Sequence, residues 1–225
     1  MSKLLSLKQW LTLSEAAAHL SAVFSEPVSV ADLYRFALSR RLVLSVDFVN
    51  HARGAMGTVR PIEEADLMIV PGINKLDAVS KDVAQSIPQG EGRGAILEWV
   101  AKNQKYFGSG ELVLLTKGDR ISEAEILHFE REISTLRGIW DLPMLGAEAL
   151  DVQHALQQEV GGPSVELINL EGALVFNSET GCYAKLMEHF SNNEYAGKER
   201  EFPYDDPSSY YPANGLPEDA PIVVR

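Results

Sequence analysis

The side chains able to carry chemistry in this 225-residue chain are few and scattered. The histidines, His19, His51, His128, His154 and His189, include no His-x-x-x-His pair, and Cys182 has no second thiol to join it. Structural zinc needs four such ligands at short spacings, so no metal site is expected. Cys182 also lacks a base nearby in sequence to take its proton, and it reads as a structural thiol. The glycines of "GEGRG" (Gly90–Gly94) would let backbone N–H groups approach an anion. The segment lacks both the dinucleotide spacing and the Lys-Ser/Thr of a P-loop, and it reads as a hairpin loop. Glu123, Glu125, Glu130 and Glu132 crowd one segment, where a solvated acidic face explains them better than an acid–base pair. No constellation meets the spacing of a known catalysis, so neither an enzyme nor a cofactor is expected.

One group of cations is gathered closely enough to matter. The segment "SVADLYRFALSRRLVLSVDF", from Ser29 to Phe48, predicts a short helix running into a strand. Ser29 suits the N-cap, with Asp32 as its capping-box partner. At about 100° per residue, Val30, Leu33, Tyr34 and Ala37 share one face, while Ala31, Arg35 and Ser39 fall opposite. Arg40 and Arg41 stand at the helix end, and Leu42, Leu44, Val46 and Phe48 alternate as a strand with one apolar face. "NHARGAMG" then reads as a loop with Arg53 at its tip. Guanidinium groups grip phosphate and pair bidentately with guanine, and a helix N-terminus offers free N–H groups to a phosphate. The candidate nucleic-acid set is therefore Ser29, Arg35, Ser39, Arg40, Arg41 and Arg53.

The charge pattern sharpens the question. The chain carries a formal net charge of -12, yet residues 1–60 hold seven Lys/Arg against four Asp/Glu. Because potentials act within a Debye length of about 8–10 Å, an acidic remainder does not forbid polyanion contact at the front of the chain. It does weaken long-range attraction, so such binding would be modest or need a dimer. The lone cysteine suits a reducing compartment, no signal peptide is evident, and no run reaches the roughly 18 apolar residues of a membrane span. A cytoplasmic location without membrane contact is expected.

The remaining periodicities place the elements around this group. "LSEAAAHLSAVF" predicts a helix capped by Ser14, with Ala16, Leu20, Val23 and Phe24 as its apolar stripe. "TVRPI" could return as a partner strand. "DLMIV", "ELVLLTKG", "VELINL", "ALVF" and "CYAKLME" read as strands, the last three as an antiparallel meander. "KLDAVSKDVAQSI", "AILEWVAKNQKYF" and "AEALDVQHALQQEV" read as helices. The strongest helix signal spans Ser122 to Gly138, with a Ser122–Glu125 capping box and an Ile126, Phe129, Ile133, Leu136 stripe. Trp10, Trp99 and Trp140 read as core or interface anchors. Beyond Ser191 periodicity fades, and the closing "PIVVR" reads as the beginning of a strand, continued in a longer chain or by a partner.

"LTLSEAAAHL" followed by "VSVADLYRFALSRRLVLSV" resembles the helix-turn-helix of excisionase and MerR-type regulators, over about 40 of the 225 residues. The resemblance implies that the second helix meets DNA and that the following strand belongs to a wing. The link "SEPV" is acidic where phosphate would approach, a departure from that use. The expected fold class is α+β: a helix-turn-helix-like region at 1–56, an acidic α+β body at 57–190 with the meander, and an irregular Pro/Tyr/acid-rich tail at 191–225. The expected function is DNA binding, as a transcriptional regulator or mobile-element protein, with the acidic body serving dimerisation or a partner. The alternative is a non-enzymatic interaction or adaptor module whose helix pair is a docking element.

Overall fold

The computed structural model describes residues 8–72, 81–88, 92–167, 171–192 and 202–225. In chain order the elements are β1 (Leu11–Thr12), α1 (Leu13–Phe24), α2 (Val30–Leu38), β2 (Leu44–Pro61), β3 (Leu67–Pro71), α3 (Lys81–Ser86), α4 (Arg93–Lys102) and α5 (Gln104–Gly108). There follow β4 (Leu112–Thr116), β5 (Asp119–Arg120), β6 (Glu125–Asp141), α6 (Ala147–Val160), β7 (Leu174–Asn177), β8 (Cys182–His189), β9 (Tyr210–Pro212) and β10 (Ile222–Val224). The fold is α+β with antiparallel strand pairing. It divides into two compact units, one formed by residues 1–57 with 129–225 and the other by 58–128.

In the first unit the strand order is β1-β10-β2-β6-β7-β8-β9, and β8 also pairs with β2 through Gly54–Gly57. Four strands, β2, β6, β7 and β8, therefore close on one another. Closure brings strands together tightly, and glycine makes room for it. A Cβ on Gly54 would lie 2.7 Å from Leu136 Cδ1, and one on Gly57 equally close to the Phe129 ring. Inside lies an apolar cluster that includes Leu44, Val46, Phe48, Trp140, Val175 and Leu186, joined by Leu33 and Ala37 of α2 and by Val152 and Leu156 of α6. Each fully buried Leu, Val or Phe contributes on the order of 2 kcal/mol.

The alternation of Leu44, Val46 and Phe48 appears as expected, all three being buried. "NHARGAMG" is not a loop, however, because β2 runs through it to Pro61, and "TVRPI" is the same strand rather than its partner. The largest correction concerns Ser122–Gly138, which is a turn followed from Glu125 by strand, not a helix. Ser122 and Glu125 do meet, at 3.4 Å, but within a tight turn in which Ile121 and Ser122 donate their N–H groups to the Glu125 carbonyl. As a strand β6 pairs with β2, β5 and β7 and contributes Leu136 and Trp140 to the core, so tertiary context overrides the local pattern. Leu136, Trp140 and Leu142 then fall on one face at even spacing and are buried.

The β7–β8 hairpin matches the meander, turning at Asn177, whose side-chain oxygen accepts the N–H groups of Glu179 and Thr180. "VELINL" is not strand over 165–167, and its residues 168–170 lie outside those described. The tail is less irregular than expected. Asp206 caps a short turn at Pro207–Ser209, β9 extends β8, and β10 inserts between β1 and β2. Tyr210, Val223 and Val224 are buried.

In the second unit β3 and β4 form a two-stranded sheet in the register Met68↔Leu115 and Val70↔Val113. Gly72 closes onto the opposite strand, where a Cβ would lie 2.0 Å from the Gly110 carbonyl oxygen. The helix expected over "AILEWVAKNQKYF" is broken into α4 and α5 at Asn103. Of "KLDAVSKDVAQSI", the described part is helical as α3. Gly90 and Glu91 of the glycine loop lie outside the described residues, while Arg93 opens α4 and donates to the Ala65 carbonyl at 2.7 Å.

Candidate functional site

Two capping boxes build the helix pair that carries the candidate cations. The N-cap of α1 is Thr12, not Ser14: Thr12 Oγ1 accepts the Glu15 N–H at 3.3 Å and Glu15 returns a bond to the Thr12 N–H. Ser29 caps α2 as expected. Its hydroxyl accepts the Asp32 N–H, and Asp32 Oδ2 accepts the Ser29 N–H at 3.0 Å. Between the helices, Ser21 donates to the Ala17 carbonyl and accepts the Val28 N–H, both at 2.8 Å, which fixes the link onto α1. Ser25 takes φ 56, the left-handed conformation that ends many helices.

The end of α1 beside this link projects apolar surface. Val23 and Phe24, expected in the core stripe, are 50% and 60% exposed. The stripe of α1 instead buries Ala16 and Ala17. The whole stretch from Ala22 to Pro27 is exposed. Placing Phe24 there forgoes the burial that normally stabilises an aromatic.

The inner face of α2 agrees with its periodicity: Leu33, Tyr34 and Ala37 are buried. Ala31 is buried too, contrary to its expected place on the outer face. The outer face holds Arg35 and Ser39, both exposed. Arg35 Nη1 lies 2.8 Å from Asp32 Oδ1. The Asp32 carboxyl is held below its usual range, first by the Ser29 hydroxyl, then by the backbone of the cap and by Arg35. Asp32 is thus engaged in the cap, and it partly neutralises the first cation of the set.

At the C-terminus of α2 the chain folds into a Schellman turn. Arg40 donates its N–H to Ala37 and Arg41 its N–H to Phe36, both at 2.8 Å. Arg40 occupies the position where glycine is usual, with φ 57, and its guanidinium donates to the Met144 carbonyl at 3.2 Å. Ser39 turns its hydroxyl onto the Phe36 carbonyl. Arg41 is exposed, and its side chain has no partner among the described residues.

Arg53 stands apart. It lies within β2, not at a wing tip, and donates to Thr135 Oγ1 at 2.7 Å. The structure therefore gathers Arg35, Ser39, Arg40 and Arg41 at one helix end, leaves Ser29 about 15 Å away at the other, and removes Arg53 to the sheet. The wing implied by the resemblance is a sheet strand with β10 and β8 as neighbours.

Behind the helix pair, Glu148 is an anchor that sequence reasoning missed. It is fully buried, with Oε1 accepting the N–H groups of Leu145 and Gly146 at 2.7 and 2.9 Å and Oε2 that of Leu174 at 2.8 Å. Burial pushes its pKa above the ordinary value, against the opposing effect of these backbone donors. Asp151, one turn on, accepts the Leu216 N–H at 2.7 Å and is likewise raised by burial. The two carboxylates fasten α6 to β7 and to the tail. An acid in the first turn of "AEALDV" was visible in the sequence, but nothing local distinguishes a buried one from an exposed one.

Among the described residues no group of His, Cys, Asp and Glu is placed to hold a metal ion, and no helix is long and apolar enough to cross a membrane. Cys182 is half-buried with its thiol turned to the Thr180 carbonyl. No protein-family model, curated protein or solved structure matches the chain.

Proposed function

We propose that the chain is a non-catalytic protein-interaction module in which the α1–α2 pair is a docking element. The observation that carries this reading is Phe24, 60% exposed at the end of α1, beside a link that Ser21 holds in place. A pre-ordered aromatic loses little entropy on binding and is the residue type that anchors interfaces. Glu26 beside it suits a partner with an apolar socket rimmed by a cation. The inner faces of the two helices are already occupied by their own core, which leaves the link as the free surface. The test places a photo-cross-linking residue at position 24 and, as control, at exposed Glu63. A discrete adduct from position 24 alone, lost on Val23→Asp, supports docking; equal labelling from both sites refutes it.

A second reading is DNA contact through the C-terminal end of α2. It is favoured by Arg41, exposed and without a partner among the described residues, beside exposed Arg35 and Ser39. The place of Arg53 within β2 and the pairing of Arg35 with Asp32 both weigh against it. Nucleic-acid contact would give a mobility shift that falls steeply with salt, the log–log slope dropping by about 0.9 for each phosphate contact removed. Arg35→Ala with Arg41→Ala would then reduce the slope by about 2. No shift at low salt, or one indifferent to both substitutions, leaves the docking reading in place.

A further inference from the structure

Two strands in the first unit each carry a left-handed residue, and both residues line one cleft. In β2, His51 takes φ 70, while in β6 Gly138 takes φ 70. A left-handed residue inside a strand interrupts the pleat and re-aims its neighbours, and for a side chain other than glycine it stores strain. The cleft has a volume of about 590 Å³ and is lined by Asp47 to His51 and by Arg137 and Gly138. Arg137 and Gly138 also border a second cleft of about 570 Å³, whose other cation is Arg225.

The charged groups of these clefts are unequally committed. Arg225 already serves Ser178 Oγ at 3.0 Å, Asp141 at 3.6 Å and Glu179 at 3.8 Å. Asn50 donates to Asp219 at 2.8 Å. Asp47, His51 and Arg137, by contrast, have no side-chain partner among the described residues, though all three line one cleft. An acid and a guanidinium that line one cleft without pairing can both be met by a ligand that carries both charges.

We propose that this cleft binds a small zwitterion of amino-acid or dipeptide size. Its carboxylate would take the planar fork of Arg137, its ammonium would face Asp47, and His51 would hydrogen-bond the carboxylate or the adjoining amide. A simple anion would be repelled by Asp47 and a simple cation by Arg137. Only a ligand carrying both charges uses both groups. The proposal concerns a different surface from the docking link and does not depend on it.

The test is an NMR-detected titration of the whole chain with a panel of free α-amino acids and dipeptides, alongside their N-acetylated and C-amidated forms. The expected result is saturable perturbation of the His51 and Arg137 signals by at least one zwitterion. Acetylation or amidation should each weaken it by about ten-fold or more, the loss of one charged contact. Preference for free amino acids over dipeptides, or the reverse, fixes the ligand's length. Arg137→Ala and Asp47→Asn should each give a similar ten-fold loss with an unchanged melting temperature, and Arg137→Lys an intermediate one. Should Arg137→Ala unfold the chain, the blocked ligands and Asp47→Asn still decide. No saturating zwitterion, equal binding of the blocked forms, or indifference to Asp47→Asn would overturn the proposal.

Discussion

Replacing Glu148 by glutamine changes one oxygen to an NH₂ group and little else in shape. The amide oxygen can keep the Leu145 and Gly146 N–H groups, at 2.7 and 2.9 Å in the native carboxylate. The new NH₂ must then face the Leu174 N–H, whose 2.8 Å bond to Oε2 is lost. Two donors meet in a site with no exposed surface. One buried N–H left without an acceptor costs about 1–3 kcal/mol. In a chain of this length that lowers the melting temperature by roughly 2–4 °C per kcal/mol. Glu148→Ala leaves three such donors and should cost roughly 3–5 kcal/mol. Urea titration followed by tryptophan fluorescence would read both, as a fall in midpoint at unchanged slope.

The same residue fixes the sign of a pH effect. Burial raises the native pKa of Glu148 above its ordinary 4.5. Below that value both native and unfolded chains hold the proton, and the contribution to stability is greatest. As pH rises, the unfolded chain releases its proton first, so stability falls until the pH passes the native value. Asp32, whose native pKa is lowered, acts in the opposite direction, and Asp151 acts in the same direction. Subtracting the Glu148→Gln curve from the native curve isolates Glu148. The native advantage over the variant should be largest near the ordinary value and shrink as pH rises. A difference that is flat, or that grows with pH, refutes the reasoning, and so does a Gln variant as stable as the native chain.

Three further outcomes follow from backbone geometry. Ser25→Gly should stabilise by about 0.5–1 kcal/mol, because φ 56 strains serine but not glycine; an unchanged or lower melting temperature refutes this. Gly72→Ala places a Cβ 2.0 Å from a backbone carbonyl that no rotamer change can move, whereas Gly94→Ala in α4 meets nothing within 4 Å. The first should lose more than about 2 kcal/mol and the second should gain up to about 1 kcal/mol, read by the same urea titration. Gly57→Ala, whose Cβ would lie 2.7 Å from the Phe129 ring, should cost about 1–3 kcal/mol and perturb the aromatic signals of Phe129.

What could be read from the chain depended on whether the deciding interaction was local. Helix α2 was legible from its Ser29–Asp32 box and apolar face, and α6 from the glycine, Gly161, that ends it in the left-handed conformation. The same reasoning failed on Ser122–Gly138, where a real Ser–Glu pair closes a turn into a strand instead of opening a helix. Helical spacing of Ile126, Phe129, Ile133 and Leu136 was an equally valid pattern until long-range neighbours were counted. Even spacing of Leu136, Trp140 and Leu142, with β-branched Ile133 and Thr135 before them, was the competing signal. Likewise, "NHARGAMG" owes its glycines to strand closure against Leu136 and Phe129, not to a turn, and sequence cannot separate those two uses of glycine.

The candidate site divides along the same line. Type and spacing placed Arg35, Ser39, Arg40 and Arg41 together at a helix end, because helix geometry alone brings them there. Arg40's tie to Met144 and Arg53's tie to Thr135 span 104 and 82 residues, and no local rule reaches that far. The cleft residues Asp47 and Arg137 are 90 positions apart, on two different strands. Charge counting at the front of the chain therefore found cations but could not tell an available one from a committed one. One guanidinium at the end of α2 and one in the cleft have no side-chain partner among the described residues, and substitutions at the two can be tested separately. If Arg41→Ala abolishes DNA binding while Arg137→Ala does not, α2 is the recognition surface; if only Arg137→Ala changes any ligand affinity, the cations of α2 serve the turn they terminate.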